Sequence, residues 1–160
     1  MPDRGSHEPA AALITLLKTI NGGPTYWSDV GDRVYNRLVP PEDTRITKFP
    51  YFCVPTLDDK PVYLEPDGGT HLVHQWDQPV FGFVRDTAGT KSLNSNAQEQ
   101  LLKLHDDFMK LWFTDHTWNG TVEDSLPVAG PRHAGILSKY GEFVISLQMK
   151  SFLSFQGLGP

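Results

Sequence analysis

Apolar residues recur at spacings of three and four from Ala97 through Leu101, Leu104, Phe108 and Leu111, which is one face of a helix. Leu102, Met109 and Trp112 widen that face. Asn96 stands where an N-cap belongs, and Glu99 where a capping-box acid would reach back. Glu99 with Lys103, and Asp106 with Lys110, sit at i,i+4 on the wet side. The pattern predicts a helix within Asn94 to Asp115, with a stripe broad enough to need a sheet as its partner. A shorter stripe, Ala10, Leu13, Ile14, Leu17 and Ile20, predicts a first helix with Pro9 in its opening turn. Asn21-Gly22-Gly23-Pro24 ends it. Tyr26 and Trp27 follow, as core plugs or interface residues, with the core the expectation.

The period changes elsewhere. Phe143, Ile145, Leu147 and Met149 alternate with Glu142, Ser146, Gln148 and Lys150, which predicts a half-buried strand continuing toward Phe155. Leu72 to Arg85 predicts another, broken near Pro79, with Phe81 and Phe83 on one face and Val80 and Val84 on the other. Phe49 to Leu57 is dense in aromatic and β-branched residues. Pro50 and Pro55 confine it to an edge or to a short central piece. Asp32 to Val39 predicts a strand stopped by Pro40-Pro41, with Arg33, Tyr35 and Arg37 on one face. Asp58 to Thr70 is rich in Asp, Pro and Gly. It predicts an exposed hairpin or mobile loop, with a small strand at Val62 to Leu64 and a turn at Pro66 to Gly69. Trp118-Asn119-Gly120 predicts a turn, and Val122 with Pro127 to Ala129 irregular extended chain.

The expected fold is α+β: a mostly antiparallel β-sheet packed against one long helix, plus a short N-terminal helix. At 160 residues the chain suits one domain, placed at 9–156 between a flexible tail at 1–8 and a C-terminal tail at 157–160. The 13 prolines and 14 glycines speak for turns and loops rather than a bundle. A formal charge of −5 argues against a surface that grips nucleic acid generally. No signal-peptide pattern is present, and no apolar run approaches the ~20 residues of a membrane helix. These features predict a soluble protein made in a reducing cytoplasm, with the single cysteine, Cys53, as a buried thiol.

Candidate chemistry is sparse. His71 and His74 are three apart in a predicted strand and would point to opposite faces. His105, Asp106 and Asp107 fan out around a helix, and His116 falls past its end, so a metal site would need tertiary coincidence. Gly-x-Ser-x-Gly is absent, and Gly22-Gly23 and Gly68-Gly69 lack the Lys-Ser or Lys-Thr of a phosphate loop. Asp58-Asp59 reads as turn chemistry. The expectation is no enzyme, no cofactor and no metal.

Arg33-Val34-Tyr35-Asn36-Arg37-Leu38-Val39-Pro40, followed after a polar loop by Phe49-Pro50-Tyr51-Phe52-Cys53-Val54, resembles the tail terminator (tail completion, head–tail joining) proteins of tailed bacteriophages. The order of elements resembles theirs as well: a short helix at Pro9 to Ile20, a long one at Ala97 to Phe113 and a closing strand at Glu142 to Phe155. The Asp58 to Thr70 insert departs from the compact family pattern. The resemblance implies a structural virion protein of the tail or neck, assembled in the host cytoplasm. It would form a homo-oligomeric ring, commonly six-fold, that ends tube growth and joins tail to head connector. Its partners would be the tail tube protein and a head-completion or connector protein. DNA would pass through the pore without specific binding, and no membrane is involved. Candidate interface residues are Arg33, Tyr35 and Arg37 on the first strand, and Lys60, Tyr63, Glu65 and Asp67 in the insert. The alternatives are another neck or tail assembly adaptor, or a small metal-dependent hydrolase using the histidines.

Overall fold

The computed structural model describes residues 7–55, 63–67, 71–88, 92–134 and 139–154. In chain order the elements are α1 (His7–Leu17), β1 (Val34–Tyr35), β2 (Tyr51–Cys53), β3 (Tyr63–Asp67), β4 (His71–Arg85), α2 (Ala97–Thr114), β5 (Asp124–Ala134) and β6 (Tyr140–Ser154). The strands form one sheet in the order β1-β2-β4-β6-β5, with β3 pairing the start of β4. The β1–β2 pair is parallel and every other ladder antiparallel, so the sheet is mixed. The architecture is α+β with the sheet dominant.

One face of the sheet meets the helices. Phe52 of β2, Val80 and Val84 of β4, and Phe143, Ile145, Leu147 and Met149 of β6 share a buried cluster with Leu13 and Leu17 of α1. From α2 come Ala97, Leu101, Leu104, Phe108 and Leu111, the stripe the periodicity picks out. Each large side chain removed from water here contributes roughly 1.5–3 kcal/mol. The closest fit is between cross-strand partners Gly82 and Phe143. A Cβ on Gly82 would stand 2.4 Å from the Phe143 ring, so only glycine leaves room for it.

Several local expectations are corrected. Helix α1 begins at His7, so the expected tail loses His7 and Glu8. It ends at Leu17 rather than Ile20, because Thr19 and Ile20 turn back with tighter bonds to Leu16 and Leu17. Asn96 makes no side-chain cap. Its amide is shared between Thr87 and the Gln100 side chain, while Ser95 Oγ accepts from the Ala97 N–H and Glu99 pairs with Lys103. Strand β1 keeps only Val34 and Tyr35, since its one ladder is the short parallel pairing with β2. β2 is the short piece between Pro50 and Pro55, and it lies inside the sheet between β1 and β4.

Strand β4 runs unbroken through Pro79. Its β3 ladder ends at Gln75 and its β2 ladder begins at Phe81, so among the described residues only β6 pairs it there. Proline is tolerated at such an edge-like position. Gln78 bridges the gap by donating to the carbonyls of Pro55 and Pro79 at 2.8 and 3.1 Å. Pro66 and Asp67, expected in a turn, pair with Leu72 and His71 instead. The rest of the Asp58 to Thr70 insert outside β3 lies beyond the described residues, as does the expected C-terminal tail. The expected irregular chain after Val122 is strand β5. It is an edge strand, where Pro127 and Pro131 are allowed, and it bulges between Ala129 and Arg132.

Candidate functional site

The sheet face away from the helices carries a second cluster of Val39, Tyr51, Cys53 and Phe83, edged by Tyr35, Ile46, Phe49 and Phe81. Period-two alternation puts it there: Val80 and Val84 face the helices, so Phe81 and Phe83 face away. The chain leaving β1 crosses this face and returns as β2. Tyr51 lies at the centre. Its ring stacks on Phe83 at 4.8 Å and meets Tyr35 and Phe49 edge-on at 5.7 and 5.4 Å. Its hydroxyl donates to the Val39 carbonyl at 2.8 Å. Burial, then the neighbouring Cys53 and Glu42, push the phenol far above its ordinary range, so it stays a donor. Cys53 is buried as expected, and burial raises its thiol too. The Val39 N–H donates to its sulfur at 3.4 Å. This is an inert thiol in a structural role.

Beside the cluster is a cleft of about 350 Å³. Leu38, Pro40, Pro41 and Glu42 line it from the crossing loop, and Phe81, Phe83, His133, Tyr140, Gly141 and Glu142 from the sheet. The walls are largely apolar, and Leu38 is 51% exposed. His133 and Glu142 are cross-strand partners. Tyr140 stacks on Phe49 at 5.5 Å, and Lys139 Nζ stands 5.3 Å from its ring. The two carboxylates, Glu42 and Glu142, give the cleft an acidic rim. Among the described residues, no group of three His, Cys, Asp or Glu side chains is placed to hold a metal.

The helix side presents a different surface. Asp107 of α2 is buried, and its carboxylate oxygens accept from the backbone N–H groups of Trp27 and Ser28 at 3.0 and 2.7 Å. The loop after α1 is thereby tied to α2. Trp27 does not plug the core: with its backbone held, its side chain is 74% exposed. Lys103 Nζ lies 5.6 Å from the Trp27 ring while also donating to Glu99 at 2.6 Å. Tyr26 packs against the core, as expected. Lys110 does not take up the expected bond with Asp106. It donates to the Thr25 carbonyl at 2.6 Å and lies over the Tyr26 ring. Asp107 was hidden by its type: its position, three after Leu104 and four before Leu111, is a stripe position, but an acid there reads as polar.

The described interface candidates lie on β1, just beyond it and on β3. Arg33 points back into the fold, with Nε donating to the Pro50 carbonyl at 3.0 Å and Nη2 to that of Asp29. Tyr35 packs on Tyr51, and Arg37 is exposed beyond the end of β1. The three therefore do not share a strand face, because β1 stops at Tyr35. Lys60 lies outside the described residues. Tyr63, Glu65 and Asp67 occupy alternate positions of β3, opposite Gln75, Val73 and His71.

Among the described residues the histidines join no group that could hold a metal. His71 and His74 pair along β4 with Ser154 and Ser151. His105 meets Phe143 edge-on at 5.4 Å. Burial, then the Arg132 charge, lower its pKa, opposed by Asp106. His116 offers its carbonyl to Ser125 Oγ. No helix among the described residues is long and apolar enough to cross a membrane. No protein-family model matches the chain, and no curated protein matches it.

Proposed function

We propose that the chain is a structural virion protein that forms a ring at the end of a phage tail tube, terminates tube growth and joins the tail to the head connector. The observation that carries this reading is the fate of the two segments that resemble the tail terminators. Arg33 to Pro40 and Phe49 to Val54 fold as one unit, in which the parallel β1–β2 pair and the crossing loop close around Tyr51. Residues of a recognition signature that lock one another in place are what a scaffold needs, and they supply no reactive group.

The body of the ring, on this reading, is the mostly antiparallel sheet resting on the long α2, with the short α1 beside it. A closed ring needs two different surfaces that fit each other under rotation. The exposed Trp27 on the helix side and the apolar cleft on the opposite sheet face are such a pair. The net charge of −5 suits a pore that lets DNA pass without holding its phosphates. The chain then acts by shape, with no catalytic step and no cofactor.

Electron microscopy of the protein mixed with tail tubes, alongside light scattering of the protein alone, tests the proposal. Rings seated on tube ends are expected. A strict monomer that neither binds nor caps tubes contradicts it.

A further inference from the structure

The cleft and the exposed tryptophan have complementary chemistry. The cleft is apolar and aromatic within, through Leu38, Phe81 and Phe83, and carries Glu42 and Glu142. On the opposite side of the sheet, Trp27 projects with Lys103 beside its ring. We propose that Trp27 of one copy seats in the cleft of the next, with Lys103 set against Glu42 and Glu142, so that copies join head to tail. This inference rests on the ring reading and names the contact that closes the ring.

Three observations favour Trp27 over the other exposed apolar side chains. The first is preorganisation: the buried Asp107 carboxylate holds the Trp27 and Ser28 N–H groups, so little chain entropy is lost when the ring docks. Phe113, 75% exposed, is held by helix α2 but already leans on Trp112 at 4.9 Å. The second is charge: Lys103, which also binds Glu99, is a cation at the base of the knob, and the cleft offers two carboxylates, Glu42 and Glu142, against Lys139 on its Tyr140 wall. The third is placement. Trp27 sits by the helices and the cleft on the uncovered sheet face. A knob and a hole on opposite sides of one subunit generate a heterologous, head-to-tail contact rather than a two-fold one.

The contact is tested by mixing two variants that each add one cysteine and keep Trp27, Ser28→Cys and Leu38→Cys, under oxidising conditions. Cys53 is buried and stays out of the reaction. A disulfide-linked pair containing one chain of each kind is expected, and neither variant alone should cross-link. In parallel, Trp27→Ala should weaken self-association by roughly 30-fold or more, the loss typical of a truncated tryptophan anchor. Its melting curve should not move, because only the backbone of Trp27 is tied to Asp107. Lys103→Glu and Glu142→Lys should each abolish association, and the two together in one chain should restore it.

Rings that form undiminished in Trp27→Ala and Lys103→Glu, with no mixed disulfide, would overturn this contact and leave the ring reading standing. A wild-type chain that stays a single copy even on tail tubes would overturn both.

Discussion

Tyr51 is held by its hydroxyl as much as by its ring. Tyr51→Phe removes the donor to the buried Val39 carbonyl and should lower stability by about 1–3 kcal/mol, read as a fall in denaturation midpoint. An unmoved midpoint would mean that the carbonyl finds another donor. Gly82→Ala would push a methyl group into the Phe143 ring, and overpacking of this kind costs about 1–3 kcal/mol. His105 makes stability depend on pH. Its folded pKa lies below the ordinary 6.5 because burial and Arg132 disfavour the imidazolium. As pH falls from 6.5 toward the folded pKa, the unfolded chain takes up a proton that the native chain does not, so stability declines through that window. His105→Gln should flatten this part of a stability-against-pH curve. None of these three roles is legible in the sequence. A glycine in a strand, a lone histidine on a helix and a tyrosine among prolines each have many uses, and the deciding contact comes from a residue far along the chain. The buried thiol of Cys53 was legible, because its apolar neighbours occupy both sides of it in sequence.

Helix α2 and strand β6 are legible because a single period runs through each and its residues are buried, although Leu102, expected to widen the α2 face, is 43% exposed. Leu104→Ala or Phe108→Ala should therefore cost about 2–5 kcal/mol, measured by thermal or denaturant melting. A curve unmoved by either change would show that this face of α2 is not core. The edge and short strands were harder. β5 was missed because Pro127, Gly130 and Pro131 read as loop chemistry, and only a strand paired on one side tolerates them. The strand expected to Val39 is cut short because the chain turns after Tyr35 to cross the sheet, a turn for which Asn36 and Arg37 give no local signal. The N-terminus of α2 shows the same limit. Asn96 and Glu99 have the spacing of a capping box, yet Thr87 and Gln100 share the asparagine and Lys103 takes the acid. Local signals name the partner that is possible, and tertiary structure decides which partner is used.

The whole molecule is asymmetric about its sheet. One side of the sheet is covered by the helices, beside which the loop after α1 holds a tethered, exposed tryptophan. The other bears an aromatic cluster crossed by the loop between β1 and β2, and a cleft with an acidic rim. Of the interface candidates expected from sequence, Arg33 and Tyr35 are half-buried and Arg37 is exposed beyond β1. The crossing loop brings Leu38, Pro40 and Glu42, rather than Arg33 and Tyr35, to the outside. Trp27 was read as core for want of any local sign that its backbone is held from below by Asp107. The central claim is that copies of this chain close into a ring at the end of a tube. The most direct measurement is electron microscopy of the wild-type protein with tail tubes, counting subunits at the tube ends. The account predicts a closed ring of fixed subunit number on one end of each tube, and tubes that stop growing once capped. Tubes that lengthen freely in the presence of an unbound, monomeric chain would contradict it.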